Sequence, residues 1–299
     1  MKVLVLGGNG FIGSNIAEAI KNAGLEVIIG GRKARNSMQI AVQMQTMTSA
    51  EDWLNVLNGF DVVVNSVGIL RERKNESYTQ LHVNAVQTLA LACAALKIRL
   101  IHISALGLSM QAKSRFIRSK LMGEQMILAS GAQANIVRAP LLDGEGGFGA
   151  KWFRRVASWP LQFVMQSEGL VAPLQVCDLA EAVANLVMDK FNMPTIVELG
   201  GEDVLSIPDY LQLLRARRGD LRALQITVPR TFVRVASHLF DVLNWTPLSF
   251  GHFELMQGYN VPDKNLLPEL LRRKPTLVGE STFLLVKGAR IKPIYSGVE

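Results

Sequence analysis

The seven residues Gly7-Gly8-Asn9-Gly10-Phe11-Ile12-Gly13 restrict the fold of this chain more than any other stretch. They follow Lys2–Leu6, an apolar run of strand length, and precede Ser14–Ala23, whose pattern has the helix period. Glycines at 7, 10 and 13 form G-x-x-G-x-x-G, a spacing variant of the dinucleotide fingerprint. Glycine there allows a tight turn, close approach of backbone to a pyrophosphate, and close packing of helix on strand. The helix start then points unpaired N–H groups at the anion. Phe11 and Ile12, inside the loop, are expected beside the cofactor with Gly7, Gly10 and Gly13.

The rest of the first half repeats the alternation. Glu26–Ile29, Asp61–Val67, Leu100–Ser104 and Asn135–Arg138 read as strands, and Glu51–Asn58, Leu81–Leu96 and Ser119–Ser130 as helices between them. Strands alternating with helices predict an α/β fold, a Rossmann-type doubly wound parallel sheet buried on both faces. After Pro140 the pattern loosens. A glycine-rich loop, Asp143–Gly149, leads into an amphipathic helix over Lys151–Gln166 broken at Pro160. Asp178–Lys190 reads as a helix N-capped by Asp178, and Thr195–Leu199 as a short strand. From Ser206 onward helices are expected, over Ile207–Arg217 and Pro229–Asn244, and the residues from Ser281 have no assignment. The division is therefore residues 1–142 plus 174–200 as the dinucleotide-binding domain, and 143–173 plus 201–299 as a smaller, mostly helical substrate or partner lobe.

The end of the second strand selects between cofactors. An acid there would take the ribose hydroxyls of NAD(H), but the sequence reads Ile29-Gly30-Gly31-Arg32-Lys33-Ala34-Arg35. Arg32 is placed to stack on adenine and pair with a 2′-phosphate, helped by Lys33 or Arg35, which favours NADP(H) over NAD(H).

In the order of these pieces the chain resembles the short-chain dehydrogenase/reductase superfamily in its extended and atypical branches. Further matches are Asn65-Ser66-Val67-Gly68, Val83-Asn84-Ala85, His102-Ile103-Ser104-Ala105-Leu106-Gly107, Ser119-Lys120-Leu121-Met122-Gly123-Glu124, Arg138-Ala139-Pro140 and Pro173–Ala180. The phrases around Ser104, Lys120 and Pro173 are similar to the atypical group that holds the NAD(P)H-binding accessory subunit of respiratory complex I and its bacterial relatives. The resemblance implies Ser66, Val67 and Gly68 at the cofactor, a structural role for Asn84, and Lys120 on the nicotinamide ribose. It also implies a catalytic Tyr-x-x-x-Lys, whose lysine lowers the tyrosine pKa so that the phenol exchanges a proton with substrate. Here Lys120 is present but Phe116 stands where the tyrosine belongs, and Ser104 alone is a poor acid. Either the site binds cofactor without ordinary carbonyl reduction, or His102, Tyr78 or Ser114 supplies the proton. The first reading serves respiratory-complex assembly or stability, or quinone-related metabolism. The second is an oxidoreductase on a hydrophobic carbonyl or quinone.

Composition narrows the partners. Of 299 residues 49% are hydrophobic and 19% charged, which excludes a disordered chain. No run reaches the ~18 apolar residues of a membrane span, and the start runs directly into a strand, so a cytoplasmic protein is expected. Cys93 and Cys177 suit neither a disulfide framework nor a metal site, and no metal is expected. Trp152, Phe153, Trp159 and Phe163 point to a hydrophobic small molecule or partner. The net charge is +7. Six arginines (215, 217, 218, 222, 230 and 234) oppose one acid, Asp220, beside an apolar face formed by Phe232, Val235, Ala236, Leu239, Phe240 and Leu243. Such a stretch suits a peripheral position on the inner membrane face or a membrane complex. No nucleic-acid-binding motif accompanies the charge.

Overall fold

The computed structural model describes residues 1–74, 76–165, 167–188, 193–229 and 250–279. Strands β1 (Lys2–Leu6), β2 (Glu26–Gly31), β3 (Gln39–Ala41), β4 (Val62–Asn65), β5 (Arg99–Ala105) and β6 (Ala134–Ala139) form one sheet with the edge strand Ile196–Glu198. The order is Ile196–Glu198, β6, β5, β4, β1, β2, β3, and all neighbours are parallel. Chain order reverses between β1 and β4, so the loop after β1 opens at the switch point where such sheets bind ligands.

Period-2 alternation decides which core each strand residue joins. Val3 and Val5 pack with Ile16 and Ile20 of helix α1 (Phe11–Asn22) and with Leu179 and Val183 of a later helix. Leu4 and Leu6 face the other layer, with Trp53 of α2 (Glu51–Leu57) and Leu89 and Cys93 of α3 (Ala85–Leu96). The predicted helix over Leu81–Leu96 starts as a π-helical turn, Thr79–Asn84, before α3. Helix α4 (Arg115–Ala129) lies against that turn, and an added Cβ at Gly123 would come 2.1 Å from the His82 carbonyl oxygen.

The smaller unit corrects several expectations. Helix α5 ends at Ala157 (Phe148–Ala157), and after Pro160 the chain becomes a strand, Leu161–Met165. That strand pairs in parallel with Leu224–Val228, a strand in a region where helices were expected. Val164 enters the lobe core with Phe153, Tyr210 and Leu214, the last two from α7 (Ile207–Arg217). Asp178 does not cap its helix. Helix α6 starts at Val176 (Val176–Val187) behind Gln175, and buried Asp178 accepts from Arg273 Nη2 and Thr276 N–H, both at 2.6 Å. Its carboxylate is spent on tertiary structure. Asp143 is likewise buried and ties together segments distant in sequence, accepting from Arg154 Nε, Gln175 Nε2 and Gly279 N–H at 3.1, 3.2 and 2.8 Å. The helix expected over Pro229–Asn244, its apolar face, Arg230, Arg234 and the residues from Ser281 lie outside the described residues.

Candidate functional site

The glycine loop is a close-fitting cradle. Gly7 has φ of +77°, open to glycine and strained for other residues, and its N–H donates to Gly30 O at 2.9 Å. A Cβ at Gly13 would lie 2.3 Å from Gly7 O and 2.5 Å from Ser66 Oγ. Ser66 is itself pinned, donating to Leu6 O at 2.7 Å. Helix α1 begins behind Gly10 with no side-chain cap, so its first N–H groups remain for an anion. A backbone-lined recess that any side chain would fill fits a dinucleotide pyrophosphate.

The cradle opens into a cavity of about 440 Å³. Gly7, Gly10, Phe11, Ile12, Gly13, Ser66, Gly68 and Phe116 are among the residues that line it. Val67 does not; it packs into the sheet core, and its N–H donates to Asn65 Oδ1 at 3.1 Å. Of the four aromatics expected to favour a hydrophobic ligand only Phe153 lines the cavity, with Phe148 beside it, and Trp159 and Phe163 are exposed on the lobe. The roof was not foreseen. Leu255 and Met256 of the helix Phe250–Gln257, with Asn260, close over the site. Glu254 of that helix accepts Lys113 N–H and Ser114 N–H, each at 2.7 Å, at the start of α4. Among all the lining residues only Ser66 and Asn260 carry polar side chains, and none is charged.

Beneath Phe116 sits a neutral polar layer. Ile69 N–H donates to His82 Nε2 at 3.1 Å, so the ring proton is on Nδ1, which donates to Ser119 Oγ at 2.9 Å. Ser119 passes the chain to Phe116 O at 2.9 Å. Asn65 Oδ1 accepts from Val67, so its amide nitrogen donates to His102 Nδ1 at 3.1 Å and the ring proton is on Nε2. His82 thus bridges the segment after β4 and helix α4, while Asn84, for which the resemblance implied a structural role, is exposed at the end of the π turn. Burial first, then the Lys120 charge, pulls His82 down to about 2 and His102 to about 3. Burial also pulls Lys120 down to about 8, with Glu124 opposing, and its Nζ donates to Ile103 O at 3.4 Å. Ser104 is turned from the cavity and donates to Glu124 Oε1 at 2.5 Å, within a cluster in which Arg138 binds both Glu124 and Glu198. Ala105 lines the cavity in its place.

A pH dependence follows. The unfolded histidines titrate near 6.5 and the folded ones far below, so between these values the unfolded state binds more protons and stability falls as pH drops. At pH 5 each histidine should cost about 2 kcal/mol relative to neutral pH. Thermal melts from pH 7.5 to 5 check this, with His82→Asn expected to flatten the slope; equal slopes for both proteins would contradict the assignment.

Arg32 and Lys33 are exposed, at the end of β2 and off the cavity wall. Arg32 Nη1 meets Glu76 Oε1 at 2.9 Å. Tyr78, considered as an alternative acid, donates its hydroxyl to Leu70 O at 2.9 Å, and its ring meets Phe116 edge-on at 5.8 Å. Among the other candidates His102 is committed to Asn65, and Ser114 is buried at the start of α4.

Comparison with known proteins fits this geometry. The chain is 23% identical over 249 residues to NADH dehydrogenase (ubiquinone) 1 alpha subcomplex subunit 9 of Dictyostelium discoideum, covering 79% of this chain and 70% of that protein. The Arabidopsis thaliana counterpart is 27% identical over 225 residues, and the chain spans 56% of its length. A ceramide reductase of Caulobacter vibrioides is 23% identical over 184 residues, 60% of this chain and 58% of that one. In structure the chain is similar to UDP-glucuronic acid 4-epimerase of Bacillus cereus, with a TM-score of 0.66 at 19% identity over 93% and 95% of the two chains. The model of the NAD dependent epimerase/dehydratase family matches residues 3–170, the stretch that builds β1 through β6, the cradle and Phe116. By its glycine cradle, its sheet order and that match, this chain belongs to the NAD dependent epimerase/dehydratase family.

Proposed function

We propose that this protein holds NADP(H) in a site without the superfamily's tyrosine proton relay, and serves a respiratory membrane complex or quinone-related metabolism. The carrying observation is Phe116, buried on the cavity wall one helical turn before Lys120, where a hydroxyl would be needed. The relatives named as subunits of NADH dehydrogenase support the setting. For the cofactor, Gly7, Gly10 and Gly13 with the start of α1 take the pyrophosphate, and Arg32 with Lys33 takes the 2′-phosphate. Bound there, the dinucleotide would supply a hydride; a proton needs a separate donor. Glu76 competes for Arg32, so Arg32→Asp should weaken NADPH binding tenfold or more while Glu76→Gln strengthens it a few-fold.

A second reading keeps turnover. The uncharged cavity suits a hydrophobic carbonyl or quinone, the ceramide reductase relative supports that substrate class, and Tyr78 beside Leu70 is its donor. Purified protein is titrated with NADPH and then offered menadione, a long-chain quinone and 2-decanone. Tight NADPH binding with no oxidation fits the lead reading. Turnover of any probe that is lost in Tyr78→Phe establishes the second, and NADH bound as tightly as NADPH removes the Arg32 assignment.

A further inference from the structure

The strands Leu161–Met165 and Leu224–Val228 form a two-stranded ribbon with an apolar outer face that is exposed among the described residues. Register pairs Leu161 with Leu224 and Phe163 with Ile226. In a parallel pair these side chains share one face. Leu224 is 68% exposed and Phe163 64%, and Leu161 and Ile226 are exposed as well. The opposite face turns inward, where Val164 joins the lobe core and Gln225 Nε2 donates to Gln162 Oε1 at 3.1 Å. Natural proteins seldom leave neighbouring large apolar side chains bare without a use for them.

One buried arginine joins two more residues to this face. Arg215 donates through Nε to Leu221 O and through Nη1 to Ala157 O and Trp159 O, at 3.0 and 3.3 Å for the last two. It fixes the turn at Leu221, 87% exposed, against the exposed Trp159 that leads into the first strand. Cations flank the apolar tip. Arg222 is exposed on the turn and Arg155 at the end of α5, and Arg218, also exposed on the turn, pairs with Asp220 at 3.1 Å.

We infer that this face, Trp159, Leu161, Phe163, Leu221, Leu224 and Ile226 with Arg155 and Arg222 beside it, docks the protein on an anionic lipid bilayer. Exposed leucines and aromatics that can enter the headgroup layer, with guanidiniums to meet lipid phosphates, suit a yielding charged surface. Among the described residues no helix is long and apolar enough to cross a membrane, so this contact is peripheral. None of the six apolar residues lines the cavity, and the inference is independent of what the cavity does.

The full chain, loaded with NADPH, is sedimented with vesicles of phosphatidylcholine alone or of phosphatidylcholine and phosphatidylglycerol in equal parts. Binding is expected on the mixed vesicles and should fall with added salt. Arg155→Gln and Arg222→Gln should each lower partitioning roughly fivefold, and Phe163→Ser with Leu221→Ser should lower it at least tenfold. All four positions are exposed, and unchanged NADPH affinity and melting temperature show that the fold is kept. No sedimentation with mixed vesicles overturns the inference, as does binding indifferent to all four substitutions. A concentration-dependent dimer that Leu221→Ser dissociates, without vesicle binding, gives the face to a second copy and also overturns it.

Discussion

Gly13→Ala is expected to weaken dinucleotide binding about a hundredfold, the largest loss any single methyl group should cause in this protein. The new Cβ would lie 2.3 Å from Gly7 O and 2.7 Å from Gly7 C, both backbone atoms that no rotamer change can move. It would also lie 2.5 Å from Ser66 Oγ, which is held on Leu6 O. Relief therefore requires the loop to move away from α1. Overpacking of this kind costs about 1–3 kcal/mol, and a cradle displaced from the helix start loses the N–H groups that face the anion. A fluorescence titration with NADPH reads the affinity, and a melt separates it from general unfolding. Gly24→Ala is the control. Gly24 has a φ of +84°, so alanine is strained there, but nothing lies within 4 Å of an added Cβ. That variant should lose about 1 kcal/mol of stability and no affinity. Equal NADPH affinities for Gly13→Ala and the parent protein would remove the cradle as the pyrophosphate site.

The contrast between those two glycines shows what the sequence could disclose. The cradle was legible because its requirements are local: a strand, a turn with positive φ, and a helix start within a dozen residues. Arg32 was legible as a residue at the β2 terminus, but its partner Glu76 comes from a separate loop that no spacing rule connects to it. Ser104 and Ala105 mark a second limit. Side chains on a strand alternate, so an offset of one residue decides whether the hydroxyl faces the cavity or Glu124, and the motif alone does not fix that parity. His82 marks another limit, since no motif singled it out, yet from the π turn before α3 it holds Ile69 N–H just past β4 while Asn84 is exposed. The roof was least legible. Glu254 reaches the start of α4 from about 140 positions away in the chain, and Leu255 and Met256 read as ordinary apolar residues until that contact places them.

Phe116→Tyr is expected to give this protein ketone reductase activity, about a hundredfold or more above the parent, because a positioned general acid contributes about 10²–10⁴ in rate. Its surroundings suit a phenol. Phe116 is buried on the cavity wall, so the added hydroxyl would enter the cavity, where solvent or substrate can satisfy it, and little stability should be lost. Lys120 follows one helical turn later. Burial draws it down to about 8, yet it remains mostly protonated at neutral pH, and a cation at that spacing favours the phenolate. The His82 to Ser119 to Phe116 O chain fixes the backbone that carries the ring, so the substitution inherits a held position. NADPH oxidation with 2-decanone at pH 7 measures the gain. Adding Lys120→Met to Phe116→Tyr should abolish it, because the tyrosine then returns toward its ordinary pKa near ~10. If Phe116→Tyr binds NADPH like the parent and gains no reductase activity, the proposed lack of a tyrosine hydroxyl is not what limits ketone reduction here. Ser104, turned onto Glu124, and Leu255 and Met256 on the cavity wall would then be the next positions to vary.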